Sequence, residues 1–238
     1  MILMGYGCGE QNRDWHVRDH TPPSWSRVYL IDSGKVYYES GGVSRALTAG
    51  RLYIFPAYVP YTISHDPAFP ISCLWLHLDF FPTPVPRLVE IAPDDGLALL
   101  LRALRLEIHD PQPDAAYLTC LAEGLALRCE KLKYLNRPHP AFLPILQYMA
   151  ENYHRPLSIR EISVHFGYAP EYFIRNFKQH IGITPHQYLI GCRMNQALLL
   201  LRGQSSIGDI AQKVGYVDGK SFSNAVQHRY GLSPSLYR

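Results

Sequence analysis

The chain has 238 residues, long enough for two domains of roughly 100–150 residues each. Hydrophobic residues make up 47% and charged residues 18%, which excludes a disordered chain. The net charge of +3 hides a split: up to Leu135, 12 Lys/Arg face 15 Asp/Glu (−3), and from Asn136 to Arg238, 11 face 5 (+6). Such asymmetry suggests a nucleic-acid or anionic-surface partner for the basic half. No run of ~18 apolar residues predicts a membrane span. The start, Met1–Gly7, lacks the basic leader of a signal peptide. Five scattered cysteines (Cys8, Cys73, Cys120, Cys129, Cys192) with no CxxC pair argue against a disulfide scaffold or a zinc site. They fit a reducing cytoplasm, with each cysteine acting as a small apolar residue.

In chain order, Met1–Pro23 is expected to be an unpaired arm able to fold over the mouth of the barrel that follows. Runs rich in Val, Ile, Tyr, Phe and Trp then predict strands at Arg27–Asp32, Lys35–Ser40, Arg51–Phe55, Tyr61–His65 and Ser72–Phe80. Ser33-Gly34 reads as a tight hairpin and Gly41-Gly42 as another turn. Short strands with regular turns predict a small antiparallel sandwich or barrel. In the last strand, Cys73, Trp75, His77 and Asp79 share one face, and Leu74, Leu76, Leu78 and Phe80 the other.

Phe81–Pro86 is too proline-rich for a helix or a central strand. Asp94–His109 and Asp114–Leu135 carry apolar residues at helical spacing. These two helices either pack on the barrel or form a subunit interface, and both can hold together. Asn136–Pro140 is a Pro-broken linker, so the expected division is 1–135, a linker 136–140, and 141–238.

The basic half contains an internal repeat, Leu157–Leu189 and Ser205–Arg238. Ser158, Ile159, Ile162, Gly167 and Tyr168 recur as Ser206, Ile207, Ile210, Gly215 and Tyr216; Phe173, Phe177, Gly182 and Pro185 recur as Phe222, Val226, Gly231 and Pro234. Ser158 with Glu161, and Ser206 with Asp209, predict capping boxes. Gly167 and Gly215 predict left-handed helix stops. A second helix follows in each copy, with a buried stripe (Phe173, Phe177, Ile181; Phe222, Val226, Tyr230) and an outward face. The outward residues are Glu171, Tyr172, Ile174, Arg175 and Lys178, then Lys220, Ser221, Ser223, Asn224 and Gln227. Two short helices around a glycine turn, the second with a free polar face, form a helix-turn-helix. Such side chains can read base edges in a major groove. Between the copies, Pro185–Leu201 reads as one helix about 25 Å long, able to hold two recognition helices in neighbouring groove segments about 34 Å apart. Arg193 on it is either a phosphate contact or an internal ion-pair member.

Residues from about Ala141 to Arg238 resemble the DNA-binding domain of the AraC/XylS family of bacterial transcription regulators. The resemblance rests on the two Gly-Tyr turns, Phe173-x-Arg175-x-Phe177-Lys178, Arg193-x-x-x-Ala197-x-x-Leu200-Leu201, Ile207-x-x-Ile210-Ala211-x-x-Val214-Gly215-Tyr216 and Ser233-Pro234-x-x-Tyr237-Arg238. It implies an N-terminal cupin-like antiparallel β-barrel followed by two helices, and a C-terminal all-α domain with two helix-turn-helix subdomains joined by a long helix. It further implies a homodimer on a double-stranded DNA operator, a small-molecule effector (a sugar or another small metabolite), and, for an activator, contact with RNA polymerase. The family's second recognition helix usually carries Arg and Phe where this chain has Asn224 and Val226, so copy two is expected to bind more weakly or read a different base.

Many cupins are metal enzymes with an HxH…E ligand set and a later His. Here no HxH occurs, and Tyr61 stands where the later His would be. His65 and His77 are candidate ligands by type alone, so no metal, cofactor or catalytic group is expected. The alternatives are a cupin-type enzyme with an appended DNA-binding domain, or a constitutive DNA-binding protein whose barrel only dimerises. Tyr29, Tyr37, Tyr53, Trp75 and His77 are candidates to line an effector pocket; the other reading makes them core.

Overall fold

A computed structural model describes residues 2–18, 22–81, 85–135, 138–201, 203–230 and 233–237. The chain divides into two compact units, Met1–Arg137 and Pro138–Arg238. The middle of the proline connector and the first two linker residues lie outside the described residues.

The first unit is an antiparallel β structure with two helices. Its strands are β1 (Ile2–Glu10), β2 (His16–Arg18), β3 (Ser26–Ser33), β4 (Val36–Ser40), β5 (Val43–Leu47), β6 (Leu52–Ile54), β7 (Thr62–His65), β8 (Ser72–Asp79) and β9 (Val89–Ile91). They form a five-stranded sheet, β1-β8-β3-β6-β9, and a four-stranded sheet, β2-β7-β4-β5. The two sheets enclose a core of Tyr29, Ile31, Tyr53, Phe55 and Cys73 from one side and Val36, Tyr38, Leu47 and Ile63 from the other.

The other face of the five-stranded sheet presents Val28, Leu52, Ile54, Leu74, Leu76 and Leu78. Against it lie α1 (Asp95–Ile108) and α2 (Ala115–Lys131), through Leu97, Leu101, Leu104, Leu118, Ala122 and Leu125. The alternation read in β8 therefore separates two cores, and the helices pack on the sheet. Asp94 caps α1, accepting from the Leu97 N–H at 2.9 Å, and also pairs with Arg128 of α2. Arg105 grips Asp32 with two bonds, 3.0 and 2.7 Å, tying α1 to the C-terminal end of the central strand β3.

Two expectations are corrected. The N-terminal segment is not an unpaired arm: Ile2–Glu10 pairs with β8 and His16–Arg18 with β7. Glycines at alternate positions hid the strand. A Cβ on Gly7 would stand 2.6 Å from the Trp75 indole, so the ring lies directly over the β1 backbone. Leu3, Tyr6 and Cys8 meanwhile pack toward the helices. Nor is Ser33-Gly34 a hairpin, because β3 and β4 belong to different sheets. Gly34, at φ +107, carries the chain across where an added Cβ would lie 2.5 Å from the Pro70 carbonyl oxygen. The hairpin falls one turn later, at Gly41-Gly42 (φ +58 and +78), joining β4 to β5.

The second unit is helical: α3 (Leu143–Asn152), α4 (Ile159–His165), α5 (Pro170–Ile181), α6 (Pro185–Leu201), α7 (Ile207–Lys213) and α8 (Gly219–Tyr230). Short 3₁₀ turns lie at Pro140–Phe142 and Pro234–Tyr237. No helix among the described residues is long and apolar enough to cross a membrane.

Candidate nucleic-acid interface

Both copies of the repeat fold into the same local unit. In α4, the Glu161 N–H donates to Ser158 Oγ (3.1 Å) and the Ser158 N–H to the Glu161 carboxylate (2.8 Å). Those bonds hold the Glu161 carboxyl below the usual carboxylate range. In α7, the Asp209 N–H donates to Ser206 Oγ (3.1 Å) and the Ser206 N–H to the Asp209 carboxylate (3.3 Å). Each helix stops at a left-handed glycine, Gly167 at φ +75 and Gly215 at φ +87. The next tyrosine N–H then reaches back at 2.8 Å, from Tyr168 to the Ser163 carbonyl and from Tyr216 to the Ala211 carbonyl. Replacing Ser158 with alanine removes one half of a capping box and is expected to destabilise the second unit by about 1 kcal/mol. Thermal melting followed by helical circular dichroism reads this; an unchanged midpoint would mean the box contributes nothing.

The second helix of each pair buries the stripe read from the sequence: Phe173, Phe177 and Ile181 in α5, and Phe222, Val226 and Tyr230 in α8. That fixes which face looks outward. On α5, Glu171, Tyr172, Ile174, Arg175 and Lys178 are all exposed, as are Lys220, Ser221, Asn224 and Gln227 on α8. Ser223 is half-buried, and its hydroxyl is spent on the Gly219 carbonyl at 2.7 Å. Asp218 caps α8 through the Ser221 N–H at 2.7 Å, a role the sequence reading missed. The α5 N-terminus has no side-chain cap and begins with Pro170.

Helix α6 joins the pairs. Thr184 and Gln187 form a reciprocal cap at its start: the Gln187 N–H donates to Thr184 Oγ1 at 3.2 Å, and the Thr184 N–H to Gln187 Oε1 at 2.9 Å. Arg193 fits neither of its two expected roles. Its Nε donates to the Tyr153 carbonyl at 3.0 Å and its Nη2 to the Arg155 carbonyl at 3.2 Å. Its guanidinium also lies 5.5 Å from the Tyr216 ring. It is an internal tether of three segments, made to backbone oxygens that no sequence pattern advertises.

The five effector candidates do not all converge. Tyr29, Tyr53 and Trp75 are in register across β6, β3 and β8. Tyr53 is fully buried, and its hydroxyl accepts from the Thr48 N–H at 2.8 Å. The Trp75 and His77 rings lie 4.9 Å apart, tilted by 39°, and His77 meets Trp25 at 4.3 Å. Burial and the nearby Arg27 guanidinium push the His77 pKa down to about 3, so the ring is neutral. Tyr37 is 40% exposed and points away, while Tyr38 takes the inward position. Sequence reasoning missed Trp15, Trp25, Arg27 and Tyr61; Arg27 is buried and donates to the Tyr61 hydroxyl at 2.8 Å. His65 is engaged on both ring nitrogens: Nδ1 accepts from the Ile71 N–H (3.0 Å) and Nε2 faces the Arg13 carbonyl (3.1 Å). Among the described residues no group of three or more His, Cys, Asp or Glu is placed to hold a metal ion.

Paired helices with buried stripes and free outward faces define a helix-turn-helix domain, and residues 162–238 match the family profile described as "Helix-turn-helix domain". A probable transcriptional regulator, LumQ of Photobacterium leiognathi, is 34% identical over 92 residues, covering 38% of this chain and 37% of that protein. The HTH-type transcriptional regulator ArgR of Pseudomonas aeruginosa is 29% identical over 140 residues, covering 58% and 43%. These matches thus span about a third to a half of the relatives' length. The structure of ToxT from Vibrio cholerae O395 aligns with 98% of this chain and 96% of its own at a TM-score of 0.55 and 12% identity, a likeness of fold. The C-terminal part of the chain is therefore similar to the helix-turn-helix domains of bacterial transcription regulators.

Proposed function

We propose that this protein is a sequence-specific DNA-binding transcription regulator in which both helix pairs act as helix-turn-helix units. The observation that carries the reading is the duplication itself. Two units share caps, glycine stops and buried stripes, and each leaves a polar or basic face exposed. Helix α6 spaces α5 and α8 for consecutive major-groove segments on one side of the duplex. Arg175 is the main base reader, a bidentate partner for guanine. Asn224 makes α8 the weaker reader.

The first unit is read as a cupin-like domain that binds an effector and dimerises, and the protein as an activator rather than an enzyme. The exposed apolar side chains Leu99, Leu106, Tyr117 and Leu127 on α1 and α2 support a subunit interface. The effector reading draws on the aromatic cluster around Trp25, Trp75 and His77. It also draws on ToxT, whose structures are described with an unsaturated fatty acid and with a naphthalenyl-butenoic acid bound. That favours an apolar small molecule over a sugar.

The test is a salt titration of binding to a duplex selected by the protein from a random-sequence pool. Log affinity should fall linearly with log salt, by about 0.9 for each phosphate contacted. A flat response would exclude the phosphate contacts on which this reading depends.

A further inference from the structure

The repeated Gly-Tyr turn places equivalent tyrosines at 168 and 216, yet the two do different things. In the second copy, Tyr216 packs on Phe222 (5.7 Å between ring centroids) and turns inward under the Arg193 guanidinium at 5.5 Å. In the first copy, Tyr168 packs on the equivalent Phe173 (5.9 Å) and turns outward, lying nearly parallel to Tyr172 at 6.0 Å and 23°. Tyr172 in turn lies beneath the guanidinium of Arg175, 5.8 Å from its ring centre. A continuous stair therefore runs from the buried Phe173 to the exposed Arg175. The second copy has no such stair: its matching residues are Ser221 and Asn224, which have neither ring nor cation.

We propose that Tyr172 is a positioning residue that holds the Arg175 guanidinium in its base-reading orientation, with Tyr168 as the support behind it. This rests on the DNA-binding reading above. Arg carries a flexible stem, and an exposed one loses rotamer freedom whenever it docks. A flat ring fixed on the core beneath the guanidinium lowers that loss, because the planar cation stacks on the ring face. Tyr172 thereby adds to discrimination between sequences rather than to general affinity, since it carries no charge for phosphate. The asymmetry also gives the two copies different roles. One tyrosine supports a reader, and its counterpart secures the joint at α6.

The experiment uses the full chain, a duplex selected by it from a random-sequence pool, and a scrambled duplex of the same composition. Tyr172→Phe keeps the ring and should leave both affinities unchanged. Tyr172→Ser, which installs the residue of the second copy, should weaken binding to the selected duplex about two- to fivefold. Binding to the scrambled duplex and the helical circular dichroism should not change. In an Arg175→Ala background, Tyr172→Ser should have no further effect. Three results overturn the proposal: Tyr172→Phe as damaging as Tyr172→Ser, which would make the hydroxyl a DNA contact; an undiminished serine effect without Arg175; or no serine effect at all. If Arg175→Ala itself binds both duplexes like the parent chain, the interface reading falls together with the proposal.

Discussion

Replacing Gly215 with alanine should destabilise the C-terminal unit by about 3 kcal/mol, while the same change at Gly167 should cost only about 1–2 kcal/mol. Both glycines end the first helix of a pair at similar positive φ, +87 and +75, so the backbone penalty for a Cβ is shared. Their surroundings differ. A Cβ at Gly215 would stand 2.6 Å from the Tyr153 carbonyl oxygen and 3.1 Å from Arg193 Nε, inside the contact that ties α3 and α6 to the second pair. Backbone would have to move and the Arg193 bonds would open. At Gly167 nothing lies within 4 Å. Urea unfolding followed by circular dichroism at the helical band measures both changes. Indole fluorescence would not serve, since Trp15, Trp25 and Trp75 all lie in the first unit. Equal costs at the two positions would mean that the Arg193–Tyr153 joint does not constrain the turn.

Arg175→Ala should lower affinity for the selected duplex by about 1–3 kcal/mol, roughly five- to 150-fold, and relax the preference at one base pair. Affinity for scrambled DNA should change much less. Arg175 is exposed on the outward face of α5, has no described carboxylate partner, and lies at the second-helix position that a major groove receives. Asn224→Ala should produce a smaller loss, because a neutral amide gives up its bonds to water for each bond to a base. Competition binding against both duplexes separates the cases. An equal loss on selected and scrambled DNA would make Arg175 a phosphate contact.

How much was legible varied with the range of the interactions. The helices of the basic half were readable because their signals are local: serine caps three residues before an acid, glycine stops, and apolar stripes within one turn. The outward faces of α5 and α8 followed from those stripes. Strands depend on partners far along the chain, and there the sequence misled. In β1, Gly5, Gly7 and Gly9 carry no side chain to alternate, and the Trp75 ring lies against Gly5 and Gly7. At Ser33-Gly34, a turn residue looked like a hairpin although Gly34 was needed for the close approach of the Pro70 backbone. Arg193 was undecidable from sequence because its partners are main-chain carbonyls. Tyr37 and Tyr38 are adjacent on a strand, and only the register β4 adopts decides which faces inward.

Methylation interference on the selected duplex tests the two-pair arrangement most directly. Two patches of interference should appear, centred about 10 base pairs apart on one face of the helix, for each bound chain. Arg175→Ala should remove the interference at one guanine of the stronger patch and leave the weaker patch unchanged. A single patch, or two patches half a turn out of phase, would contradict the placement of α5 and α8 in consecutive major-groove segments.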